Sequence, residues 1–353
     1  MEFYKAKENR SGVQTILQTI KDYGPISKRE IQETTGLCWG HVSQVTKRFL
    51  GEGYIVVSEN EMTAGRTREL LDINREDNYF IGADLNSERI RAVVTDMKGT
   101  VKTEVRKNWE RNERESVLET IFEVLDGMIA QYPGKRMIGI GFAVQGVVDT
   151  FQGVSLCISR IKNWIDVPLK QIIEERYHVD VIVAHDPDCL MKSESECGIL
   201  KGSSVSDVVL IHYSYGVGIG MSIMINGQIY LGYQGKAGEI SNTILNVHED
   251  GWHDYLGHYI AKRDTEIDMN VLGEYIGRSV AIVNSLFNPE MIVLHMAEPD
   301  YQEEIYDAVE FYLRNHSYNT MVGLSLSKLN RNKNAKALGA VWILIDREID
   351  RVL

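Results

Sequence analysis

The sequence predicts an α/β fold in which a small helical module, residues 1–74, precedes a larger two-lobed domain, residues 75–353. Three observations predict it. Apolar strand-like runs alternate with helix-period segments from Tyr79 onward, and the same alternation begins again near Asp207. The first 74 residues follow a different rhythm, short amphipathic segments ending in a hairpin pattern. A chain of 353 residues with 44% hydrophobic and 25% charged residues suits two or three globular domains.

Charge separates the same two parts. Residues 1–74 hold ten Lys plus Arg against ten Asp plus Glu, so the whole net charge of −12 belongs to the remainder. A neutral module with clustered basic groups can bind phosphates, while an acidic remainder suppresses non-specific adhesion to nucleic acid. No apolar run approaches the roughly 18–20 residues that span a bilayer. The opening MEFYKAKENR has no apolar stretch of the secretory kind, and a cytoplasmic location is expected. Cys38, Cys157, Cys189 and Cys197 form no close pair and read as four thiols.

Within the module, Val13, Ile16, Leu17 and Ile20 make one helical stripe that Gly24-Pro25 ends. Ser27 and Glu30 have capping-box spacing, with Ile26 and Ile31 as a hydrophobic staple, and Gly36 closes that second helix. A third helix buries Val42, Val45 and Phe49 and turns His41, Gln44, Lys47 and Arg48 outward. Gln and Arg can pair with base edges and Lys can reach phosphates, which a major-groove helix requires. Arg66 and Arg68 lie at the Gly-containing tip of the hairpin that follows, a wing able to reach backbone or minor groove. Ser27, Lys28, Trp39 and Ser43 complete the expected DNA-facing set. The bland reading of the outward face is a solvated helix surface.

In ordered sequence, ENRSGVQTILQTIKDYGPISKREIQETTGL, VSQVTKRFLGEGYI and GRTRELLDIN resemble the winged helix-turn-helix head of regulators of the ROK family (repressors, open reading frames, kinases). Cys38-Trp39 departs from the small polar cap usual there. The resemblance continues through GIGFAVQGVVD, HDPDCLMKSE, SYGVGIGMSIMINGQIYLGYQGKAGEIS, LFNPEMIVL and AKALGAV. It implies a two-lobed actin-like (ribonuclease H-like) sugar-kinase fold with a ligand cleft. It further implies an operator as partner, a carbohydrate effector, and a homodimer or dimer of dimers on an inverted repeat.

The resemblance also identifies what has changed. Family kinases carry Asp-x-Gly-Gly-Thr-Lys at the first phosphate turn; here the run is Asp84-Leu85-Asn86-Ser87-Glu88-Arg89, without glycines and with an added carboxylate. Val217 stands where a hydroxyl residue is usual, and His295-Met296 where the nucleotide side has Gly-Gly. Asp186 matches the general base on a sugar hydroxyl, or serves as a helix N-cap, and Glu239 matches a carboxylate that binds sugar hydroxyls. Gly146, Arg160 and Asn242 complete the expected ligand set, Arg160 in place of an asparagine and Asn242 in place of a histidine. The family's zinc cysteines are missing, so no metal or other cofactor is expected, and His248, Asp250 and His253 read as ordinary polar residues. The implied function is a sugar-responsive repressor with no kinase activity. The alternatives are a regulator answering to another metabolite or a protein, and an active sugar kinase.

Overall fold

The computed structural model describes residues 10–63, 66–214, 218–242, 244–247, 253–255, 269–296, 302–316, 323–327, 329 and 331–352. The chain divides into two compact units, one running to Ala184 and resumed from Ala340, the other spanning His185–Gly339. The N-terminal module belongs to the first unit, so these divisions fall elsewhere than the 74/75 boundary read from sequence.

The first unit opens with α1 (Gly12–Tyr23), β1 (Ile26–Ser27), α2 (Lys28–Thr35), α3 (Trp39–Gly51), β2 (Ile55–Thr63) and β3 (Arg66–Ile73). The three strands form an antiparallel sheet in the order β1-β3-β2. Ile16, Leu17, Ile20, Ile31, Val42, Val45 and Phe49 are buried as their spacing requires. Ser11 with Gln14 and Ser27 with Glu30 make capping boxes that start α1 and α2. Gly36 ends α2 at φ 68°, a backbone state that costs a glycine little.

The same unit continues through β4 (Asn78–Leu85), β5 (Arg89–Thr95), β6 (Val101–Asn108), α4 (Arg114–Ile129), β7 (Arg136–Val144), β8 (Val147–Asp149), β9 (Val154–Cys157), β10 (Ile165–Val167), α5 (Leu169–Tyr177) and β11 (Asp180–His185). Its main sheet has the order β11-β7-β4-β5-β6, with β4 antiparallel to β5 and parallel to β7. The small sheet β10-β9-β8 and α5 were not anticipated. Their strands are only three or four residues long, too short for alternation to register.

The second unit contains α6 (Asp186–Cys197), β12 (Val208–Ser214), β13 (Gly218–Ile225), β14 (Gln228–Ile229), β15 (Ile244–Val247), β16 (His253–Tyr255), α7 (Met269–Phe287), β17 (Met291–Met296), α8 (Gln302–His316) and β18 (Gly323–Leu326). Its sheet runs β14-β13-β12-β17-β18, with β12 antiparallel to β13 and parallel to β17. The expected restart is therefore a repeat of topology: in each sheet one strand pairs antiparallel with the next and parallel with a later one. The edge strand β14 is only two residues long, Gln228–Ile229.

The last helix, α9 (Ala335–Arg351), runs from the second unit into the first. On β7, a Cβ at Gly141 would lie 2.8 Å from the Ala340 carbonyl, so α9 rests against that strand's backbone. Its distal end binds the N-terminal module. Arg10 donates to Asp350 at 2.8 Å and to Asp346 at 3.3 Å, the Gln14 side chain donates to the Asp350 carbonyl at 2.5 Å, and the Tyr54 hydroxyl donates to Glu348 at 2.6 Å. Lys98 adds a bond to the Gly24 carbonyl at 2.7 Å, and Asn78 one to that of Gly53 at 2.8 Å.

Candidate functional site

Among the side chains expected to read DNA, Trp39, Gln44 and Lys47 are exposed, and His41 and Ser43 are half-buried. Trp39, at 51% exposure, is unusually open for an indole, which is normally hidden by packing. Helix α3 begins at Cys38 with no side-chain cap, so its first-turn amides are not satisfied by their own N-cap. Lys28 lies 3.7 Å from Glu69.

Two expected contacts are placed differently. Ser27 is buried, and its hydroxyl accepts from the Glu30 amide and donates to the Glu30 carboxylate at 2.9 Å. Capping α2 occupies it. Arg48 turns away from the Gln44–Lys47 face: it lies 3.5 Å from Glu52, stacks over Phe49, and lines a recess with Tyr54, Arg136, Glu348 and Arg351. The cause is its place at the last turn of α3, beside α9, which helical periodicity could not reveal. Arg66 and Arg68 are on β3, but their side chains lie outside the described residues.

The first phosphate turn is closed by its own bonds. The Asn86 carbonyl oxygen of the side chain accepts from the Glu88 amide at 2.9 Å and the Arg89 amide at 3.0 Å, and the Ser87 amide donates to the Gln145 side chain at 3.0 Å. The Trp109 indole donates to the Asn86 backbone carbonyl at 2.9 Å. Three amides that could otherwise face an anion are spent within the protein.

Gly146, also in the first unit, has φ 96°, and a Cβ there would lie 2.2 Å from the Cys157 carbonyl, so the close turn needs glycine. Arg160 adopts a left-handed backbone at φ 73° and is exposed.

In the second unit, Asp186, Asp188 and Glu239 belong to one electrostatic cluster with His185. The structure corrects the capping alternative for Asp186: His185 is the N-cap residue of α6, without a side-chain cap, and Asp186 is the first helical residue. An Asp186 carboxylate oxygen receives Lys336 Nζ at 2.5 Å, and His185 Nε2 lies 3.7 Å from the other oxygen. Asp188 accepts from Ser222 at 2.6 Å. Burial pushes Asp188 up to about 6, the charges of Asp186 and Glu239 adding to the effect while His185 and Ser222 oppose it. Burial likewise raises Glu239. A cluster of crowded, desolvated carboxylates is suited to accepting hydroxyl donors. Asn242 belongs to the 3-10 turn Ile240–Asn242, its side chain outside the described residues.

His212, Lys336, Asp188 and Ser222 escaped the sequence reading. His212 and His295 are register partners on β12 and β17, with Nδ1 atoms 3.0 Å apart. Burial first, then the charge of Lys336, lowers both, His295 to about 3. His295 had a signal, since it interrupts the nucleotide-side glycine pair. Lys336 lies inside the AKALGAV landmark but contacts a residue 150 positions earlier, which no local pattern encodes. Among the described residues no three His, Cys, Asp or Glu side chains could hold a metal ion, and no helix is long and apolar enough to cross a membrane. His248 and Asp250 lie outside the described residues, as does the side chain of His253.

A three-helix module followed in the chain by two α/β sheets of repeated topology, with a carboxylate cluster at the start of α6, gives a sugar-kinase-like fold with an added N-terminal module. The ROK family model matches residues 80–254. A putative xylose repressor of Caldicellulosiruptor sp. (strain Rt8B.4) is 30% identical over 283 residues, covering 74% of this chain and 68% of its own length. The chain belongs to the ROK family. In fold it is similar to a ROK family transcriptional regulator described as a homologue of the E. coli MLC protein, with TM-score 0.79, 19% identity and 96% of each chain covered. A ROK family glucokinase from Streptomyces griseus, solved with glucose and AMPPNP, aligns with TM-score 0.59 and 19% identity over 74% of this chain and 97% of its own.

Proposed function

We propose that the chain is a transcriptional repressor that reads an operator with α3 and the β2–β3 hairpin, and whose operator affinity is set by a sugar or sugar derivative bound through Asp186 and Glu239. The observation that carries the proposal is an N-terminal module with Trp39, Gln44 and Lys47 outward, on a chain whose fold likeness to a ROK transcriptional regulator spans 96% of its length. One helix and one short wing cover a single half-site, so two heads at fixed spacing, a homodimer on an inverted repeat, supply the specificity. Function in the cytoplasm follows from that role.

Phosphoryl transfer is not part of this reading. The engaged amides of Ser87, Glu88 and Arg89 leave the first turn without the cradle that nucleotide phosphates require. Asp186 and Glu239 then bind without transferring. A second reading, an effector other than a plain sugar, is favoured by the ammonium already held on Asp186, which a neutral hydroxyl has to displace.

The proposal is tested by selecting an operator from random duplex DNA and titrating the complex with D-xylose, N-acetylglucosamine and their phosphates. A sugar that changes operator affinity by tenfold or more, about 1.4 kcal/mol, is the expected result. Failure to enrich any duplex would refute the repressor reading, and sugar-dependent ADP release lost in Asp186→Asn would restore the kinase one.

A further inference from the structure

We infer that Lys336 is a positioning residue that latches Asp186, and that the exchange of its ammonium for a ligand hydroxyl is the event α9 carries to the N-terminal head. The inference rests on the proposed sugar site at Asp186 and adds the means by which that site is heard.

The latch itself is a tight pair. Lys336 Nζ is 2.5 Å from an Asp186 oxygen, and the two side chains are only 19% and 6% exposed. Charges so far removed from water are costly to separate unless another donor replaces the one withdrawn. A sugar hydroxyl is such a donor, and accepting it frees the ammonium. His185, 3.7 Å from Asp186, faces the pair from β11, while His212 and His295 face it from β12 and β17. The last two are kept neutral by burial, so neither adds a positive charge beside Lys336.

Little slack separates the latch from its helix. Lys336 is in the first turn of α9, and three residues on, a Cβ at Gly339 would lie 1.8 Å from the Cys189 carbonyl of α6. The two helices touch backbone to backbone, so a change between Asp186 on α6 and Lys336 on α9 is not absorbed by soft side chains. From there the helix continues unbroken for 17 residues in all, about 25 Å at 1.5 Å per residue. Its far end carries Asp346, Glu348 and Asp350, the groups that grip Arg10, Gln14 and Tyr54 of the head. One helix therefore begins at the candidate ligand carboxylate and ends at the DNA-binding module.

Hydrogen exchange on the 353-residue chain tests this without an identified ligand. Lys336→Met is expected to speed exchange of the α1 amides by about tenfold, and Asp186→Asn by a similar factor. The double variant should show no further increase, because the two residues act as one latch. Lys336→Arg, which keeps the charge, should restore slow exchange, a rescue that general damage to the fold would not permit. Unchanged α1 exchange in a folded Lys336→Met protein, or additive effects in the double variant, would overturn the inference. A separate titration with D-xylose distinguishes it from the repressor reading: if neither wild type nor Lys336→Met binds the sugar, that specificity fails while the exchange result still decides the latch.

Discussion

The hairpin turn after β4 and the start of α6 both carry polar groups, and the chain treats them in opposite ways. At the turn, Asn86 and Gln145 satisfy the amides of Ser87, Glu88 and Arg89, so the backbone has nothing left to offer. At α6, the helix begins without a side-chain cap and gathers Asp186 and Asp188, with Glu239 close enough to raise Asp188 further. An uncapped start is not enough by itself, since α4 and α5 also lack side-chain caps. What distinguishes α6 is the burial of charge beside it. Buried, perturbed charge of that kind marks a candidate functional site.

The largest test of this contrast concerns Asp188. Its folded value is about 6 against an ordinary 3.8, so the native state holds the proton more tightly than the unfolded chain. Stability therefore rises as pH falls from 6 towards 3.8, and above pH 6 the buried carboxylate costs up to about 3 kcal/mol. Asp188→Asn is expected to melt higher than the wild type at pH 7.5, with the advantage shrinking towards pH 4.5. Calorimetry at the two pH values measures this; an advantage that does not change with pH would show that desolvation of Asp188 is not the cause.

Asn86→Ala tests the closed region. It deprives the Glu88 and Arg89 amides of their acceptor, and is expected to destabilise the first unit by about 2 kcal/mol, read as a lower first melting transition. Nucleotide affinity should not appear in exchange, because Glu88 remains in the turn. ATP-dependent stabilisation of this variant would mean that the turn is merely covered.

The two regions also differ in how far the sequence disclosed them. The lost glycines at Asn86-Ser87-Glu88 also come through the family resemblance, but a phosphate cradle is local in sequence, so once the match is made the whole change is read off six residues. Asp186 and Glu239 came only through the family resemblance, and their partners did not come at all. Lys336 reaches Asp186 across 150 positions, and Ser222 reaches Asp188 across 34, distances at which only the folded sheet order decides contact. In the head, the three-helix pattern, both ends of α2 and the apolar stripes were legible because caps and periodicity are local signals. The orientation of Arg48 was not, because it depends on α9 lying beside the last turn of α3.

That last difference divides two residues of similar sequence status. Gln44, exposed on α3, should lose about 1–2 kcal/mol of operator affinity on change to Ala if it contacts a base edge. Arg48→Ala should alter affinity less and should instead speed amide exchange at the junction with α9. Gel-shift titrations of both variants on the selected operator rank them, and an Arg48→Ala loss exceeding that of Gln44→Ala would place Arg48 on the DNA after all.

The smallest expected effect concerns the start of α3, where the contrast between closed and open ends recurs inside the head. Helices α1 and α2 begin with complete capping boxes, whereas α3 begins at Cys38 with no side-chain bond. Serine at this position can accept from a first-turn amide, so Cys38→Ser should stabilise the head by about 0.5–1 kcal/mol. The same amides, at the positive end of the α3 dipole, are also suited to a DNA phosphate. If they serve that purpose, the added cap competes with the phosphate, and operator affinity falls as stability rises. Melting and gel-shift measurements on one variant separate the possibilities: opposite changes would identify an end left open for DNA, whereas higher stability with unchanged affinity would mark Cys38 as an unimproved cap with no part in binding.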